Sequence, residues 1–146
     1  MIRKRVPRSD DRPIYRMVIE ELVPYSQFAF SPRELDPRSV SRRLDRSTTY
    51  VLSGSGRKPF GFISFFVKAE NLFIDMLALH RQCQGRGWGG RLLQAAERAG
   101  RLRRCRRAFL YVDEINIGAQ KFYLRHGYAV DGYVPGIRCY RLVKRL

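Results

Sequence analysis

A glycine-rich segment in the middle of the chain has the composition of an anion-binding loop. It comprises residues 84–90 (QGRGWGG) and lies between an apolar predicted strand and a predicted helix. Glycines let a backbone approach a phosphate closely, and amides at a helix N-terminus point outward with partial positive charge. Arg86 and Arg91 add full positive charges nearby. The segment therefore predicts a phosphate site, and the alternative is a glycine-rich turn that only reverses the chain.

Two common phosphate-binding motifs do not fit this loop. Gly85, Gly87 and Gly90 satisfy the G-x-G-x-x-G pattern of dinucleotide-binding proteins. However, the acidic residue expected about 20 residues later is missing, because Asp113 lies well beyond that distance, and the chain is too short for a second mononucleotide-binding half. A P-loop is excluded because no Gly-Lys-Ser/Thr follows. A dinucleotide-binding oxidoreductase therefore remains only as an alternative.

Two segments of the chain carry the motifs of one known family. Gln84, Gly87 and Gly89 match a Q/R-x-x-G-x-G/A signature, and residues 116–128 read N-x-x-A-x-x-F-Y-x-x-x-G-Y. Both segments resemble the cofactor-binding motifs of the GNAT (GCN5-related N-acetyltransferase) superfamily, in the family's order and spacing. The resemblance implies a GNAT-like acyl-CoA N-acyltransferase fold as a single domain over residues 1–146, with acetyl-CoA as co-substrate.

The resemblance also implies which residues contact the cofactor. In the family, the strand before the loop separates from its neighbour, and its backbone binds the pantetheine arm and the thioester carbonyl. The loop amides bind the pyrophosphate, and Asn116 would hydrogen-bond the cofactor arm; its alternative role is a helix N-cap, and the two roles are compatible. The expected cofactor-binding residues are Leu77, Ala78, Leu79, Gln84, Gly85, Arg86, Gly87, Trp88, Gly89, Gly90, Asn116 and Tyr123.

Tyr123 matches the tyrosine that many family members place near the cofactor sulfur. When an amine attacks the thioester, a thiolate departs, and a phenolic hydroxyl can donate a proton to it. The alternative is a core tyrosine that shares a helix face with Ala119 and Phe122.

Asp75 is a candidate general base, because a primary amine has a pKa of about 10.4 and must lose a proton before it attacks. It is the only charged residue in the apolar predicted strand 72–79. Simple alternation places Asp75 on the same face as Leu77 and Leu79, and a buried carboxylate needs a role or a partner. A structural hydrogen bond is the alternative role, and Asp113 and Glu114 are alternative bases.

The acceptor pocket is expected between the loop that holds Tyr25, Phe28 and Phe30 and the segment 133–137. These aromatic or apolar loops lie outside the cofactor motifs, and loops on a rigid scaffold usually set specificity. Tyr111 stands where N-terminal acetyltransferases of the ribosomal-protein type carry a glutamate, which disfavours that acceptor. The sequence thus predicts acetyl transfer to a primary amine, in a small molecule or a peptide, by direct attack in a ternary complex.

The elements that must position these residues follow from hydrophobic periodicity and turn signals. They predict an α/β (α+β) fold, with a mixed, mostly antiparallel sheet flanked by about four helices. Asp10 and Asp11 precede the first helix, and the third has an apolar stripe that includes Leu102. The predicted helices are 12–23, one from near residue 31, one after the glycine loop, and one between Asn116 and Gly127; the strands are 2–6, 48–53, 60–67, 72–79, 108–112, 128–134 and 138–143.

Composition limits the remaining functions. No apolar run is long enough to span a membrane, no signal peptide is evident, and three widely spaced cysteines suggest reduced thiols without a metal site, so we expect a cytoplasmic protein. Lys and Arg number 29 against 13 Asp and Glu, giving a net charge of +16 that attracts polyanions. A basic nucleic-acid- or ribosome-binding module with a GNAT-like fold is therefore an alternative. It ranks below the enzyme, because no nucleic-acid recognition motif accompanies the charge. The oligomeric state stays open and includes a homodimer.

Overall fold

The structure is a computed structural model that describes residues 1–56 and 58–146. Within these residues, the strands are Ile2–Lys4 (β1), Thr48–Ser53 (β2), Pro59–Lys68 (β3), Asn71–Leu79 (β4), Arg107–Asp113 (β5), Ala129–Val134 (β6) and Cys139–Arg145 (β7). The α-helices are Pro7–Met17 (α1), Pro37–Asp45 (α2), Trp88–Leu102 (α3) and Ile117–Arg125 (α4). One sheet in the order β1-β2-β3-β4-β5-β7-β6 contains all of these strands. Among the strand pairs of the described residues only β4–β5 is parallel, so the predicted mixed, mostly antiparallel α/β fold is confirmed.

Helices pack on both faces of the sheet because each face presents a separate set of apolar side chains. On one face, Ile14 of α1 and Leu44 of α2 are buried against Phe62 of β3. On the other face, Leu93 of α3 and Tyr123 of α4 belong to a larger apolar cluster built on β2 to β5 and β7. No helix in the described residues is long and apolar enough to cross a membrane.

The first helix begins at Pro7, earlier than the predicted start at residue 12. The Asp10 carboxylate accepts a hydrogen bond from the backbone amide of Val6 (2.7 Å) and binds the guanidinium of Arg3 (2.7 and 3.0 Å). Asp10 therefore lies inside the first turn, where a negative charge favours the helix, and Pro13 lies in the helix interior. Beyond α1 the chain continues as a π-helical turn, Val18–Leu22, and a 3₁₀ turn, Val23–Tyr25.

The second helix begins at Pro37 rather than near residue 31. Asp36 is its N-cap, and its carboxylate accepts hydrogen bonds from the backbone amide (2.9 Å) and the hydroxyl (2.7 Å) of Ser39. The predicted position holds only a short 3₁₀ turn, Pro32–Glu34. The side-chain cap of Asp36 therefore decides where this helix starts.

The C-terminal half agrees more closely with the predicted elements. Asn116 caps α4 by accepting a hydrogen bond from the Ala119 amide (3.1 Å), and Gly127 has the left-handed conformation expected after the helix (φ +92°). The apolar stripe of α3 is confirmed except at Leu102, which is 78% exposed. Leu102 is the last residue of α3, so it extends beyond the sheet that the rest of the stripe covers.

Candidate functional site

A gap in the middle of the sheet separates the ends of β4 and β5. The two strands pair only at residues 71–73 and 107–109, near their beginnings. Beyond Phe73 and Phe109 they diverge, although each remains paired with its other neighbour, β3 or β7. The separation implied by the sequence resemblance is therefore present, and two cavities are lined by residues at the gap.

The larger cavity, about 720 Å³, lies between the end of β4, the glycine loop and α4. Most of the predicted cofactor-binding residues line it: Leu77, Ala78, Leu79, Gln84, Gly85, Gly87, Gly89, Gly90, Asn116 and Tyr123. Arg86 and Trp88 are not part of this lining. Arg86 is exposed, and Trp88 packs edge-on against Phe60, with 6.0 Å between ring centroids.

The four glycines of the loop have two different roles. Gly85 and Gly87 have left-handed backbones (φ +77° and +84°), and a Cβ at either would have no neighbour within 4 Å. They form a tight turn that faces open space, as a phosphate site requires. Gly89 and Gly90 lie in the first turn of α3, where a Cβ would come within 3.2 Å of Phe122 or 2.8 Å of His126. These two glycines allow α4 to pack closely against the start of α3.

Side chains that the sequence analysis missed complete the larger cavity. The Gln84 amide donates to the backbone oxygen of Leu79 (3.0 Å) and to the carboxylate of Glu21 (3.1 Å), which fixes the loop to β4 and to the segment after α1. His126 also lines the cavity, and burial lowers its pKa, with Lys144 and Arg125 adding to the effect. Helical spacing from Phe122 could have identified His126, whereas Glu21 carries no such signal.

The smaller cavity, about 240 Å³, lies where the acceptor pocket was expected. Tyr25, Phe30, Tyr111 and Ile137 are part of its lining. Two of the predicted residues lie elsewhere. Phe28 is 57% exposed beneath the Arg138 guanidinium, and the Tyr133 hydroxyl donates to Glu114 (2.8 Å).

Tyr123 lies where the two cavities meet. The residues that line both cavities are Leu22, Tyr25, Leu77, Asn116, Ala119 and Tyr123. The Tyr123 hydroxyl makes no hydrogen bond to any residue that the structure describes, and burial raises the pKa of Tyr123 above its ordinary value. The phenol is therefore protonated at neutral pH and has its proton available to a ligand.

Asp75 lies on the face of β4 opposite to the predicted one. Ser64 of β3 pairs with Met76, and the next residue, Phe65, pairs with Ile74. Asp75 therefore has no paired residue on β3 and forms a β-bulge. An extra residue reverses the alternation of side chains, and Met76 packs on the α1–α2 side while Leu77 packs on the α3 side. The prediction from simple alternation, which placed Asp75 with Leu77 and Leu79, is therefore wrong.

Asp75 instead faces α2 and forms an ion pair within the smaller cavity. Its carboxylate accepts hydrogen bonds from Nε (2.9 Å) and Nη2 (2.7 Å) of Arg43, which raises the pKa of Arg43. Both residues line this cavity, so the carboxylate can also face a ligand there.

Asp113 holds the loop that contains Gln27 in place. Its carboxylate accepts hydrogen bonds from the backbone amide (2.6 Å) and side chain (2.9 Å) of Gln27 and from the amide of Ile115 (3.0 Å). Burial alone would raise the pKa of Asp113, but these hydrogen bonds bring it below its ordinary value. Asp113 is thus a poor proton acceptor, and Glu114 is engaged by Tyr133 and by Gln27 (3.3 Å).

Comparison with known proteins agrees with this architecture. The sequence profile of the acetyltransferase (GNAT) family matches residues 15–128, and the chain belongs to that family, whose members are acyltransferases that use acetyl-CoA. No curated protein sequence is significantly similar to the chain.

Solved structures show the same fold at low sequence identity. PaiA N-acetyltransferase from Thermoplasma acidophilum, solved with coenzyme A, superimposes with a TM-score of 0.83 at 16% identity, covering 100% of this chain and 99% of that one. A GNAT-family acetyltransferase from Staphylococcus aureus Mu50 gives 0.82 at 11% identity, covering 100% and 98%. The NatC complex bound to Gag peptide and CoA gives 0.77 at 17% identity, also covering 100% and 98%.

Replacing Gly87 with alanine should weaken acetyl-CoA binding. A left-handed backbone costs a non-glycine residue about 1–2 kcal/mol, so the free loop would relax and binding would have to restore the turn. We expect a dissociation constant about 5–30-fold higher by calorimetry. The control is Gly54→Ala, since Gly54 has no positive φ and no neighbour within 4 Å of an added Cβ. Equal affinities for the two variants would contradict a role for the turn.

Proposed function

We propose that the chain transfers an acetyl group from acetyl-CoA to a primary amine by direct attack in a ternary complex. The observation that carries this proposal is the junction of the two cavities across the β4–β5 gap, with Tyr123 in both linings. Two substrates held in the two cavities would meet at this point. Such an arrangement suits a direct reaction between them, because holding reactants in position is itself a large part of catalysis.

The larger cavity fits acetyl-CoA in size and in donor chemistry. About 720 Å³ lies within the usual range of ligand pockets, roughly 300–1,000 Å³. The amides at the start of α3 and the open space above Gly85 and Gly87 suit a pyrophosphate. The backbone of Leu77–Leu79 has no strand partner on its β5 side, where only the Leu79 oxygen accepts a hydrogen bond, from Gln84, so the segment can hydrogen-bond an extended arm. When bound, acetyl-CoA supplies the activated acyl group as a thioester.

Residues of the chain would then carry out two proton transfers. As the amine nitrogen bonds to the acetyl carbon and the carbon–sulfur bond breaks, the Tyr123 hydroxyl gives its proton to the departing sulfur. Asp75, ion-paired with Arg43, takes the proton that the attacking amine loses. Water restores the proton of Tyr123 and removes that of Asp75, so that the next cycle can begin.

The smaller cavity favours a small amine or the N-terminus of a peptide over a polycation. Its aromatic lining, Tyr25, Phe30 and Tyr111, suits the stem of a single amine, and the net charge of +16 repels a lysine-rich tail. The NatC complex shows that a protein of this fold can bind a peptide, which keeps peptide amines in the acceptor class. A screen of amines, amino acids, aminoglycosides and peptides for CoA release would identify the acceptor.

Acetyl-CoA should raise the melting temperature of the protein, whereas NAD should not. A ligand at 100 times its dissociation constant stabilises the native state by about 2.7 kcal/mol, which corresponds to about 5–10 °C for a domain of this size. The effect should decrease with salt, because arginines near the loop attract the phosphates. A higher melting temperature with NAD, together with no change at millimolar acetyl-CoA, would contradict the proposal.

Replacing Tyr123 with phenylalanine should lower kcat about 100-fold and leave acetyl-CoA affinity unchanged. General acid catalysis increases a rate by about 10²–10⁴-fold. A CoA thiol has a pKa of about 8.5, so its thiolate leaves readily and the effect should lie at the low end of that range. Because burial raises the pKa of Tyr123, ionisation of this tyrosine should not lower the wild-type rate up to about pH 10.

The matched control is Tyr128→Phe in the same aromatic cluster. The rings of Tyr123 and Tyr128 lie 5.7 Å apart, but the Tyr128 hydroxyl donates to the buried Glu97 (2.8 Å) and lines neither cavity. This control should lower the melting temperature and retain kcat. Retention of kcat by Tyr123→Phe as well would leave Tyr123 as a core residue.

Replacing Asp75 with asparagine should lower kcat/KM for the amine by about 100-fold or more, with acetyl-CoA affinity unchanged, because an amide cannot accept the proton. The control is Asp11→Asn, which removes a similar two-point ion pair, with Arg5 (2.6 and 2.7 Å), outside both cavities. If both variants lose only stability, Asp75 is an anchor for Arg43 and water takes the proton.

A further inference from the structure

A strongly basic surface surrounds α3 and is not used by the proposed acetyl transfer. Nine arginines occur between positions 81 and 107, and the structure exposes all of them: Arg81, Arg86, Arg91, Arg98, Arg101, Arg103, Arg104, Arg106 and Arg107. Within the described part of the chain, only Arg106 forms an ion pair, with Glu70 (3.3 Å). The single acid in this stretch, Glu97, is buried and bound by Tyr128 and Lys144.

The fold arranges these charges in a line. Leu92, Leu93 and Ala96 are buried against the sheet, so the opposite side of α3 faces solvent. That side carries Arg91, Arg98 and Arg101, and the turn after the helix adds Arg103 and Arg104. We name these five residues the basic stripe. From Arg91 to Arg101 the helix rises about 15 Å, a length over which one strand of a nucleic acid duplex carries about four phosphates.

The acetyl-CoA site does not explain the basic stripe. None of its five arginines lines the larger cavity; Arg91 adjoins the glycine loop, but the other four lie further along the helix, and Arg98 is already more than two helical turns from the loop. Uncompensated like charges on one helix face repel one another and destabilise the free protein. A polyanion lying along the stripe would relieve that repulsion and release its own counterions.

We propose that the basic stripe binds the phosphodiester backbone of a nucleic acid. The stripe offers guanidinium groups, which suit phosphate oxygens, and Gln94 is the one exposed amide side chain of α3 among them. Five cations against one amide make phosphate contacts dominant, so binding depends weakly on base sequence and strongly on salt. It is also independent of acetyl transfer, because the stripe and the two cavities share no residue.

The test is fluorescence anisotropy with short labelled duplexes of DNA and of RNA. Five phosphate contacts predict a log–log salt slope of about −4.5 for duplex DNA, which lowers the affinity about 500-fold between 50 and 200 mM salt. Arg98→Gln with Arg101→Gln should make the slope shallower by about 1.8. Glutamine forms helices nearly as well as arginine, so α3 should persist, and Arg98→Lys with Arg101→Lys should retain most of the binding.

The matched control removes the same charge from another exposed helix. Arg12→Gln with Arg16→Gln changes α1, on the opposite face of the sheet, and should leave the slope near that of the wild type. Saturating acetyl-CoA should not displace either duplex, and the α3 variant should keep its melting shift with acetyl-CoA. Binding of either duplex supports the proposal, and the tighter one shows which type of nucleic acid the stripe prefers.

Three results would overturn the proposal. These are no binding at 50 mM salt, equal losses from the α1 and α3 variants, and displacement of the duplex by acetyl-CoA. Equal losses would show that only net charge matters, and displacement would place the duplex on the cofactor site. None of these results bears on acetyl transfer, so this proposal and the proposed function can fail separately.

Discussion

The parallel pairing between β4 and β5 stops after three residues, and both cavities depend on that interruption. Each strand keeps a full antiparallel partner on its other side, so the sheet holds together without further contact between the two. The bulge at Asp75 adds one residue to β4 at this point, and a bulge increases the local twist of a strand. Backbone groups of β4 beyond Phe73 that face the gap are consequently left without strand partners. Such groups need water or a ligand, because an unpaired buried amide or carbonyl is costly.

The gap becomes a site because helices form its walls at fixed positions. Asn116, the N-cap of α4, and Tyr123, in the second turn of that helix, both line the two cavities. The position of α4 depends in turn on Gly89 and Gly90, where a larger side chain would meet Phe122 or His126. Within the proposed function, the glycine loop therefore has two roles. It forms the turn proposed to bind the phosphates, and it brings the helix that carries Tyr123 close to the start of α3.

The parts of the fold that local patterns define were predictable from the sequence. The glycine loop, the Asn116 cap and the strands β2 to β5 rest on residues close together in the chain, and the structure contains each of them. The start of α1 was not predictable, because it depends on an ion pair between Asp10 and Arg3. The face of Asp75 was missed because a two-residue alternation contains no sign of a bulge. The contact between Gln27 and Asp113 joins distant parts of the chain, which periodicity cannot indicate.

The charge of the protein bears on how an acceptor amine would lose its proton. An ammonium ion entering the smaller cavity would find Asp113 saturated by hydrogen bonds and Asp75 already paired with Arg43. Removal from water disfavours the ammonium form and lowers the pKa of the amine, and the surrounding excess of positive charge lowers it further. Each unit of that shift corresponds to about 1.36 kcal/mol in favour of the neutral, attacking form. Within the proposed reaction, the cavity therefore performs part of the deprotonation, and Asp75 needs only to accept a proton that the amine already holds less tightly.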